Sequence, residues 1–259
     1  MADLRNVRVV VTGATSGLGA AMTDALLEAG ATVALASRPG ARLEETVSKR
    51  LSLGQKVVAL PMDVRDPDSV EKAARSVISE FGGVDVVVNN AGIGMRVVNP
   101  RFFDRPMPFY FVTPENFADV IATNLTGYFL VSRAFAPYFV EAGAGRFINI
   151  SMNYETMKRR GFVPYGPSRA GTESLSMIMA EDLREAGVTV NMVLPGGATA
   201  TGMIPDDVPT ALSTKLLSPT IMGPPVVFLA SEEARSLTGA RIVASQFDQW
   251  LAEFRYSDD

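Results

Sequence analysis

The chain has 259 residues, of which 47% are apolar and 20% charged, the composition of an ordinary folded globular protein. Its formal net charge of -4 gives no electrostatic reason to expect a nucleic acid or an anionic membrane surface as partner. It contains neither cysteine nor histidine, which excludes disulfides, thiolate catalysis, Ser-His-Asp hydrolysis and histidine-ligated metal sites. Any general acid or base must therefore be Tyr, Lys, Asp or Glu, and no metal is expected.

The N-terminal residues 1–5 lack the basic and then apolar layout of a signal peptide, and no apolar run is long enough to span a bilayer. We therefore expect a cytoplasmic protein without a membrane partner. No repeat, low-complexity tract or linker interrupts the chain, so residues 1–259 are predicted to form a single domain.

Short β-branched runs alternate with amphipathic segments along the chain. Strands are predicted at residues 8–12, 32–37, 56–60, 84–88, 147–151, 188–193 and 241–244. Between them apolar residues recur at the helical period, as at Val70, Ala74, Val77 and Phe81. This alternation predicts an α/β fold, namely a single doubly wound parallel sheet with helices on both faces.

The first strand is followed by a glycine-rich turn and then by a helix predicted to run to about Ala29. Glycines let the backbone approach a phosphate closely, and a helix N-terminus favours its negative charge. No lysine follows the glycines, so the spacing differs from that of a P-loop. A tight glycine turn without a ligand is the alternative. The candidate cofactor-binding residues of this turn are Gly13, Thr15, Ser16, Gly17, Leu18 and Gly19.

The second strand ends in the sequence Ala36-Ser37-Arg38. Dinucleotide-binding folds place here the residue that meets the adenosine ribose. An acidic side chain accepts a hydrogen bond from a 2′-hydroxyl, whereas an arginine pairs with a 2′-phosphate. No carboxylate is present, so Ser37 and Arg38 predict NADP(H) rather than NAD(H) as the cofactor. A solvated loop arginine is the alternative.

Two long connections follow predicted strands, at residues 94–114 and 196–219. Ligands of open α/β sheets bind outside the carboxyl ends of the strands, so both connections are candidate walls and lid of the site. The first is rich in phenylalanine, and an aromatic pocket suits an apolar or aromatic small molecule. Packing of these rings at a subunit interface is the alternative. The candidate substrate-binding residues are Met152, Tyr154, Phe109 and Met203.

Tyr165 and Arg169 lie four residues apart at the start of a long apolar-periodic segment, so both are predicted on one helix face. A phenol held beside a cation has its phenolate stabilised and can donate and accept a proton near neutral pH. For an isolated pair, a core tyrosine and a surface charge are the commoner explanation. The other motifs of the chain favour acid–base chemistry.

The chain resembles the short-chain dehydrogenase/reductase family over nearly its whole length. The resemblance rests on motifs found in order, which are Thr12-Gly13-x-x-x-Gly17-x-Gly19, Asp63-Val64, Asn89-Asn90-Ala91-Gly92, Asn124, Asn149-Ile150-Ser151, Tyr165 with Arg169, and Pro195-Gly196. It implies a Rossmann fold and reversible hydride transfer between NADP(H) and a carbonyl/alcohol pair on a small molecule. It also implies a homodimer or homotetramer.

The resemblance implies roles for individual residues. Tyr165 resembles the general acid/base, and Asn124 is similar to the helix residue that holds a water in the proton relay. Arg169 stands where the family has a lysine that binds the nicotinamide ribose. Further cofactor contacts are implied for Asp63, Val64, Asn90, Ala91, Gly92, Pro195, Gly196, Ala198, Thr199 and Thr201.

Two departures from the family pattern fall at the chemistry. Arg169 keeps a cation, but its guanidinium is bulkier than the ammonium of lysine and cannot shuttle a proton. The family serine that hydrogen-bonds the substrate oxygen falls at Met152, which cannot donate. Asn153 is the first candidate to replace it; Tyr154, and Ser151 if the strand end kinks, are the others. Two alternatives to a normal reductase follow: a cofactor-binding relative without redox turnover, or a lyase or isomerase on the same fold.

Overall fold

Parallel strands form one seven-stranded sheet in the computed structural model, which describes residues 2–205 and 214–257. The strands are β1 (Arg8–Thr12), β2 (Thr32–Ser37), β3 (Val57–Pro61), β4 (Val86–Asn89), β5 (Gly145–Ile150), β6 (Val188–Leu194) and β7 (Arg241–Val243). Their order across the sheet is β3-β2-β1-β4-β5-β6-β7, and each neighbouring pair is parallel. The predicted parallel sheet is confirmed, and the predicted strands differ from these bounds only at their ends.

Helices cover both faces of the sheet, as predicted. They are α1 (Gly17–Glu28), α2 (Ala41–Ser52), α3 (Pro67–Phe81), α4 (Pro114–Ile121), α5 (Gly127–Ala142), α6 (Tyr154–Met157), α7 (Tyr165–Asp182), α8 (Gly223–Ala230) and α9 (Phe247–Ser257). A π-helical turn, Ala122–Thr126, joins α4 to α5. Within the two described ranges, none of the helices combines the length and the apolar character that crossing a membrane requires.

Two apolar layers hold the helices on the sheet. Successive residues of β1 point to opposite faces, so Val9 and Val11 pack in the layer under α1 and Val10 packs in the layer under α5. All three side chains are fully buried, and burial of each contributes roughly 1.5–3 kcal/mol. Because both faces are covered, the strands are continuous β-branched runs rather than alternating apolar and polar residues.

The strand order reverses direction beside β1, which lies between β2 and β4. Ligands of doubly wound sheets bind at the carboxyl ends of the strands near such a point. The glycine turn follows β1, Asn90 follows β4 and Ser151 follows β5. The sheet therefore brings these motifs to one edge, although they are far apart in the sequence.

Candidate active site

The turn after β1 contains glycines at positions where a side chain does not fit. Gly13 and Gly17 have φ of 66° and 54°, in the left-handed region that favours glycine. A Cβ on Gly19 would lie 2.1 Å from the Gly13 carbonyl oxygen. The side chain of Asn90 fixes this turn, because its Nδ2 donates to the Thr12 carbonyl at 2.8 Å. The side-chain amide of Asn90 therefore stabilises the conformation of the turn.

The N-terminus of α1 opens onto a cavity of about 570 Å³, whose lining includes Gly17 and Thr201. The cap residue Ser16 makes no side-chain hydrogen bond to the first helical turn, and that turn carries no acidic side chain. Backbone N–H groups at such a helix end attract an anion. Residues 206–213, in the middle of the predicted lid 196–219, lie outside the described residues.

The segment after β6, which contains Gly196 and Thr199, is fixed by hydrogen bonds within the same connection. Leu217 donates its backbone N–H to the Ala198 carbonyl at 2.8 Å, and Thr199 and Leu217 form a parallel bridge. The Thr199 hydroxyl donates to the Gly197 carbonyl at 3.3 Å. Gly196 has φ of 93°, and a Cβ there would collide with the side chain of Ser245. The backbone of this segment is thus fixed at the carboxyl end of the sheet.

Arg38 lies directly after β2 and is exposed. Near it, Arg65 binds the Asp63 carboxylate through Nε at 3.0 Å and Nη2 at 2.7 Å. These hydrogen bonds hold the pKa of Asp63 below its usual range, and the charge of Arg38 acts in the same direction. Asp63, one of the predicted cofactor-binding residues, is therefore paired with Arg65, and the arginines Arg38 and Arg65 lie together at this part of the site.

The guanidinium of Arg169 is buried between two tyrosine rings. Arg169 is only 3% exposed, and its Cζ lies 5.4 Å from the ring centre of Tyr165 and 5.5 Å from that of Tyr128. Its Nη1 donates to the Tyr128 hydroxyl at 2.8 Å and to the Ile150 carbonyl at 2.9 Å. Its Nη2 lies beside Gly92, where a Cβ would come within 2.6 Å. Arg169 is therefore not a surface charge.

The two phenols stabilise the positive charge of Arg169. Burial opposes that charge, but Tyr128 and Tyr165 outweigh the penalty, and the pKa of Arg169 lies above its usual range. Burial also raises the pKa of Tyr128, whose hydroxyl donates to the Ile150 carbonyl at 3.3 Å. At neutral pH Tyr128 is thus a neutral phenol beside a charged guanidinium. Of the two phenol-bearing residues, Tyr165 alone is partly exposed.

Asn124 lies fully buried in the π-helical turn between α4 and α5. Its Oδ1 accepts from the Ile93 N–H at 2.8 Å, and its Nδ2 donates to the Ile93 carbonyl at 2.9 Å. Its Nδ2 also donates to the Ser168 hydroxyl at 3.2 Å, and its backbone carbonyl accepts from the Thr172 hydroxyl at 3.0 Å. π-helical turns are frequent at functional sites. Here the turn joins the segment after β4 to α7.

Three consecutive residues after β5 have different surroundings. The hydroxyl of Ser151 donates a short hydrogen bond to the Glu173 carboxylate. Met152 is 8% exposed and packs among apolar side chains. The Nδ2 of Asn153 donates to the Gly196 carbonyl at 3.0 Å. Of the three candidates for the substrate oxygen, Ser151 is buried and already paired, and the Tyr154 ring lies against Arg241. Asn153 reaches Gly196, one of the predicted cofactor-binding residues.

A buried ion pair lies behind these residues. The Nε of Arg241 contacts both Glu173 carboxylate oxygens, at 2.9 and 3.1 Å, and its Nη2 donates to the Met152 carbonyl at 2.8 Å. The Tyr154 ring stacks on the same guanidinium, with Cζ 3.8 Å from the ring centre. The side chains of Glu173 and Arg241 are 9% and 20% exposed. The pair therefore anchors residues 152–154 at both ends.

An apolar cluster adjoins Tyr165, which packs on its edge. Its buried members are Met95, Val98, Phe102, Val120, Met152 and Phe162. Met203 meets the first long connection, since a Cβ on Gly94 would lie 3.2 Å from its Sδ. Phe109, a predicted substrate residue, is not part of this cluster. Its side chain is 68% exposed and contacts Tyr110.

Three residues of this site escaped the sequence prediction: Tyr128, Glu173 and Arg241. A signal existed for two of them, because Tyr128 follows Asn124 and Glu173 follows Arg169 by four residues. Each therefore shares a helix face with a predicted site residue. Arg241 carried no such signal, since it reaches the site from the edge strand β7.

The geometry agrees with comparisons against known proteins. The family model described as short chain dehydrogenase matches residues 7–210. A 3-oxoacyl-(acyl-carrier-protein) reductase from Vibrio cholerae serotype O1 is 33% identical over 246 residues, which cover 92% of this chain and 95% of the relative. Nodulation protein G from Azospirillum brasilense is 32% identical over 241 residues, which cover 90% of this chain and 94% of that protein.

Solved structures share the fold. A dehydrogenase/reductase from Sinorhizobium meliloti 1021 is 30% identical with a TM-score of 0.79, covering 93% of this chain and 94% of its own. A 3-ketoacyl-(acyl-carrier-protein) reductase from Brucella melitensis complexed with NADH is 26% identical with a TM-score of 0.81, covering 93% and 97%. The doubly wound sheet, with a glycine turn and a tyrosine–cation pair at its carboxyl edge, defines an oxidoreductase class. This chain belongs to the short-chain dehydrogenase/reductase family, as the sequence predicts.

Proposed function

We propose that this protein is an NADP(H)-dependent oxidoreductase that interconverts a carbonyl and a secondary alcohol on an apolar or aromatic small molecule. The observation that carries the proposal is the buried Arg169 guanidinium beside Tyr165, at the sheet edge where the glycine turn lies. A permanent cation next to a partly exposed phenol favours proton transfer at the phenol oxygen.

The residues at this edge fit a nicotinamide dinucleotide. The turn at Gly13 and Gly17 leaves the N-terminus of α1 free to receive a pyrophosphate. The Nε of Arg169 is buried without a hydrogen-bond partner in the described part of the chain. An unpaired buried donor is costly, so a ribose hydroxyl that reaches Arg169 would offset that cost. When bound, the nicotinamide supplies or accepts the hydride.

Each of four side chains has a defined task in carbonyl reduction. The Tyr165 hydroxyl donates its proton to the substrate oxygen and takes it back in the reverse direction. Arg169 stabilises the phenolate that remains. The Nδ2 of Asn153 donates to the substrate oxygen as negative charge develops there. Asn124 hydrogen-bonds both Ile93, which follows β4, and Ser168 of α7. It therefore fixes the position of α7, which carries Tyr165, relative to the end of β4.

The apolar cluster beside Tyr165 supports an apolar substrate. Phe102, Phe162 and Met152 are buried there, and Tyr165 packs on its edge. A substrate chain or ring that extends this packing gains burial free energy of about 25 cal/mol per Å² of apolar surface. Because two relatives are named 3-oxoacyl or 3-ketoacyl reductases, such compounds belong in the substrate panel.

The direct test mixes the purified protein with NADPH and a panel of aromatic, alkyl and 3-oxoacyl ketones, and follows nicotinamide absorbance. Turnover of apolar or aromatic ketones supports the proposal. Binding of NADPH without turnover of any ketone would indicate a cofactor-binding relative. Product formation without any change in nicotinamide absorbance would indicate a lyase or isomerase.

Arg38→Ala is expected to raise the Kd for NADPH about tenfold or more and to leave the Kd for NADH nearly unchanged. The reason is that a charge-assisted hydrogen bond to the 2′-phosphate contributes roughly 1.5–3 kcal/mol. Fluorescence titration of both cofactors measures the difference. Arg42→Ala, an exposed arginine on α2, is the matched control. Tighter binding of NADH than of NADPH by the unmodified protein contradicts the role given to Arg38.

Asn153→Ala is expected to lower kcat about a hundredfold or more, because one donor to the developing charge is lost. Steady-state kinetics at saturating NADPH measures this change. Asn116→Ala on α4 serves as the control, since the Asn116 side chain makes none of the site contacts described above. A raised Kd for NADPH at unchanged kcat would instead assign Asn153 to holding Gly196.

Self-association as a homodimer or homotetramer belongs to the same proposal. Large apolar side chains are exposed on α5 and α7, namely Phe129, Val140, Met177 and Ile178, which are 47%, 47%, 49% and 56% exposed. Exposed apolar side chains of this size favour an interface between subunits. Association through these helices would also restrain α7, which carries Tyr165 and Arg169.

A further inference from the structure

We propose that Tyr128 is a positioning residue for the reaction: its hydroxyl holds one edge of the Arg169 guanidinium and thereby directs the opposite edge toward Tyr165 and the bound cofactor. The proposal rests on the proposed function, since it concerns the same site. Tyr128 touches neither substrate nor cofactor in this arrangement and acts only through Arg169.

The two edges of the guanidinium have different surroundings. Both N–H groups of Nη1 donate to protein acceptors, namely the Tyr128 hydroxyl at 2.8 Å and the Ile150 carbonyl at 2.9 Å. Nη2 lies beside Gly92, at the carboxyl end of β4. Nε is buried and has no hydrogen-bond partner in the described ranges. One edge is thus fixed by the protein, and donors on the other remain available.

Tyr128 is unsuited to be a second proton donor. It is 1% exposed, and burial raises the pKa of its phenol. Its own proton is directed at the Ile150 carbonyl, 3.3 Å away. Within the described residues, the titratable groups that act on the Arg169 charge are Tyr128 on α5 and Tyr165, which lies on α7 together with Arg169. Tyr128 therefore contributes a fixed acceptor and not the reacting proton.

An arginine at this position needs such an acceptor. A buried guanidinium carries five N–H donors in a rigid plane, and burying them unpaired is strongly unfavourable. Tyr128 supplies such an acceptor at 2.8 Å, and Tyr165 interacts with the same guanidinium. Tyr128 and Arg169 thus form a matched pair, in which the tyrosine fixes the orientation of the larger cation that stands in place of lysine.

The first test is Tyr128→Phe, which removes the hydroxyl and keeps the ring. Expected results are a fall in kcat of about tenfold, little change in KM for the ketone, and a shift to higher pH of the midpoint at which alcohol oxidation rises. The shift follows because a less well-directed guanidinium stabilises the Tyr165 phenolate less. A structural role alone would lower stability and leave this pH midpoint unchanged.

Tyr138→Phe is the matched control for this test. Tyr138 also lies on α5 and its hydroxyl also lies near an arginine, Arg8, but at the opposite end of the sheet. Its pH profile and kcat are expected to match those of the unmodified protein. If Tyr128→Phe matches the unmodified protein as well, the proposal is overturned.

The second test uses the pair. Arg169→Lys alone leaves the Tyr128 hydroxyl without its partner, whereas Arg169→Lys combined with Tyr128→Phe removes both halves. The double variant is expected to be several-fold more active than Arg169→Lys, and more stable in urea, because coupled residues show non-additive effects. Strictly additive losses in the double variant contradict the pairing. If Tyr128→Phe alone fails to fold, a double variant that is no more active than Arg169→Lys contradicts the pairing.

A third measurement separates this proposal from the proposed function. If the unmodified protein reduces no ketone, the proposed function fails, but phenolate absorbance of the protein alone still reports on Tyr165. The part of the phenolate absorbance that is missing in Tyr165→Phe is assigned to Tyr165. In Tyr128→Phe this absorbance is expected to appear at higher pH. A Tyr165 signal that does not move overturns the positioning role irrespective of turnover.

Discussion

Tyr165→Phe is expected to lower kcat for ketone reduction about a thousandfold and to leave the Kd for NADPH nearly unchanged. Only the hydroxyl is removed, so the apolar cluster on which the ring packs is retained. General acid–base catalysis by a positioned side chain typically contributes 10²–10⁴-fold, and a thousandfold corresponds to about 4 kcal/mol of barrier. Initial rates at saturating ketone, with NADPH titrations in parallel, measure both quantities.

Tyr256→Phe is the control for this experiment, because Tyr256 is 82% exposed on α9. Its turnover is expected to equal that of the unmodified protein. Unchanged turnover in Tyr165→Phe would remove Tyr165 from the reaction. A large rise in the Kd for NADPH at little-changed kcat would instead show that the hydroxyl serves the cofactor.

The fold was predictable because both faces of the sheet are covered. Strands such as β1 and β4 are buried on both sides, so they stand out as β-branched runs between amphipathic helices. The π-helical turn at Ala122–Thr126 was not predictable in this way. The turn carries Asn124, whose side chain pairs with Ile93, a residue 31 positions away in sequence.

The candidate site was predictable where its residues are neighbours in sequence. Tyr165 and Arg169 share a face of α7, and the alternation of strand residues separates Ser151 from Met152, as the structure shows. Composition could not tell which aromatic side chains of the long connection turn inward. Phe102 is 5% exposed, and Phe109 is 68% exposed.

The partners of these residues depend on tertiary contacts. The hydrogen bond between Arg169 and Tyr128 joins residues 41 positions apart, and that between Arg241 and Glu173 joins residues 68 apart. No spacing rule reaches so far: the four-residue spacings place Tyr128 and Glu173 on the helix faces of predicted site residues but do not identify their hydrogen-bond partners. Only the folded chain shows where each of these side chains is satisfied.

Each of the two residues that depart from the family pattern has a neighbouring side chain that forms a hydrogen bond at the same place. Arg169, in place of lysine, is hydrogen-bonded to Tyr128. Met152, in place of serine, is followed by Asn153, whose amide faces the segment after β6. The backbone that carries both Met152 and Asn153 is held by Arg241. The two departures from the family pattern therefore belong to a connected set of hydrogen bonds in the site.

The Glu173–Arg241 ion pair is expected to contribute strongly to stability, because both side chains are largely buried. Glu173→Ala should lower the free energy of unfolding by about 3–5 kcal/mol, because it leaves a largely buried guanidinium without its counter-ion. The Ser151 hydroxyl would lose its acceptor in the same step. Urea unfolding followed by circular dichroism measures the change.

Two further variants make this prediction specific. Glu232→Ala removes an 80% exposed partner of Arg146 and should cost little, since exposed ion pairs contribute roughly 0–1 kcal/mol. Glu173→Leu combined with Arg241→Met should recover most of the loss, because replacing a buried pair by apolar side chains is often neutral. If Glu173→Ala costs no more than Glu232→Ala, the pair is not an anchor. In that case the position of Asn153 is set by its hydrogen bond to Gly196 and by the bond from Arg241 to the Met152 carbonyl, without a contribution from Glu173.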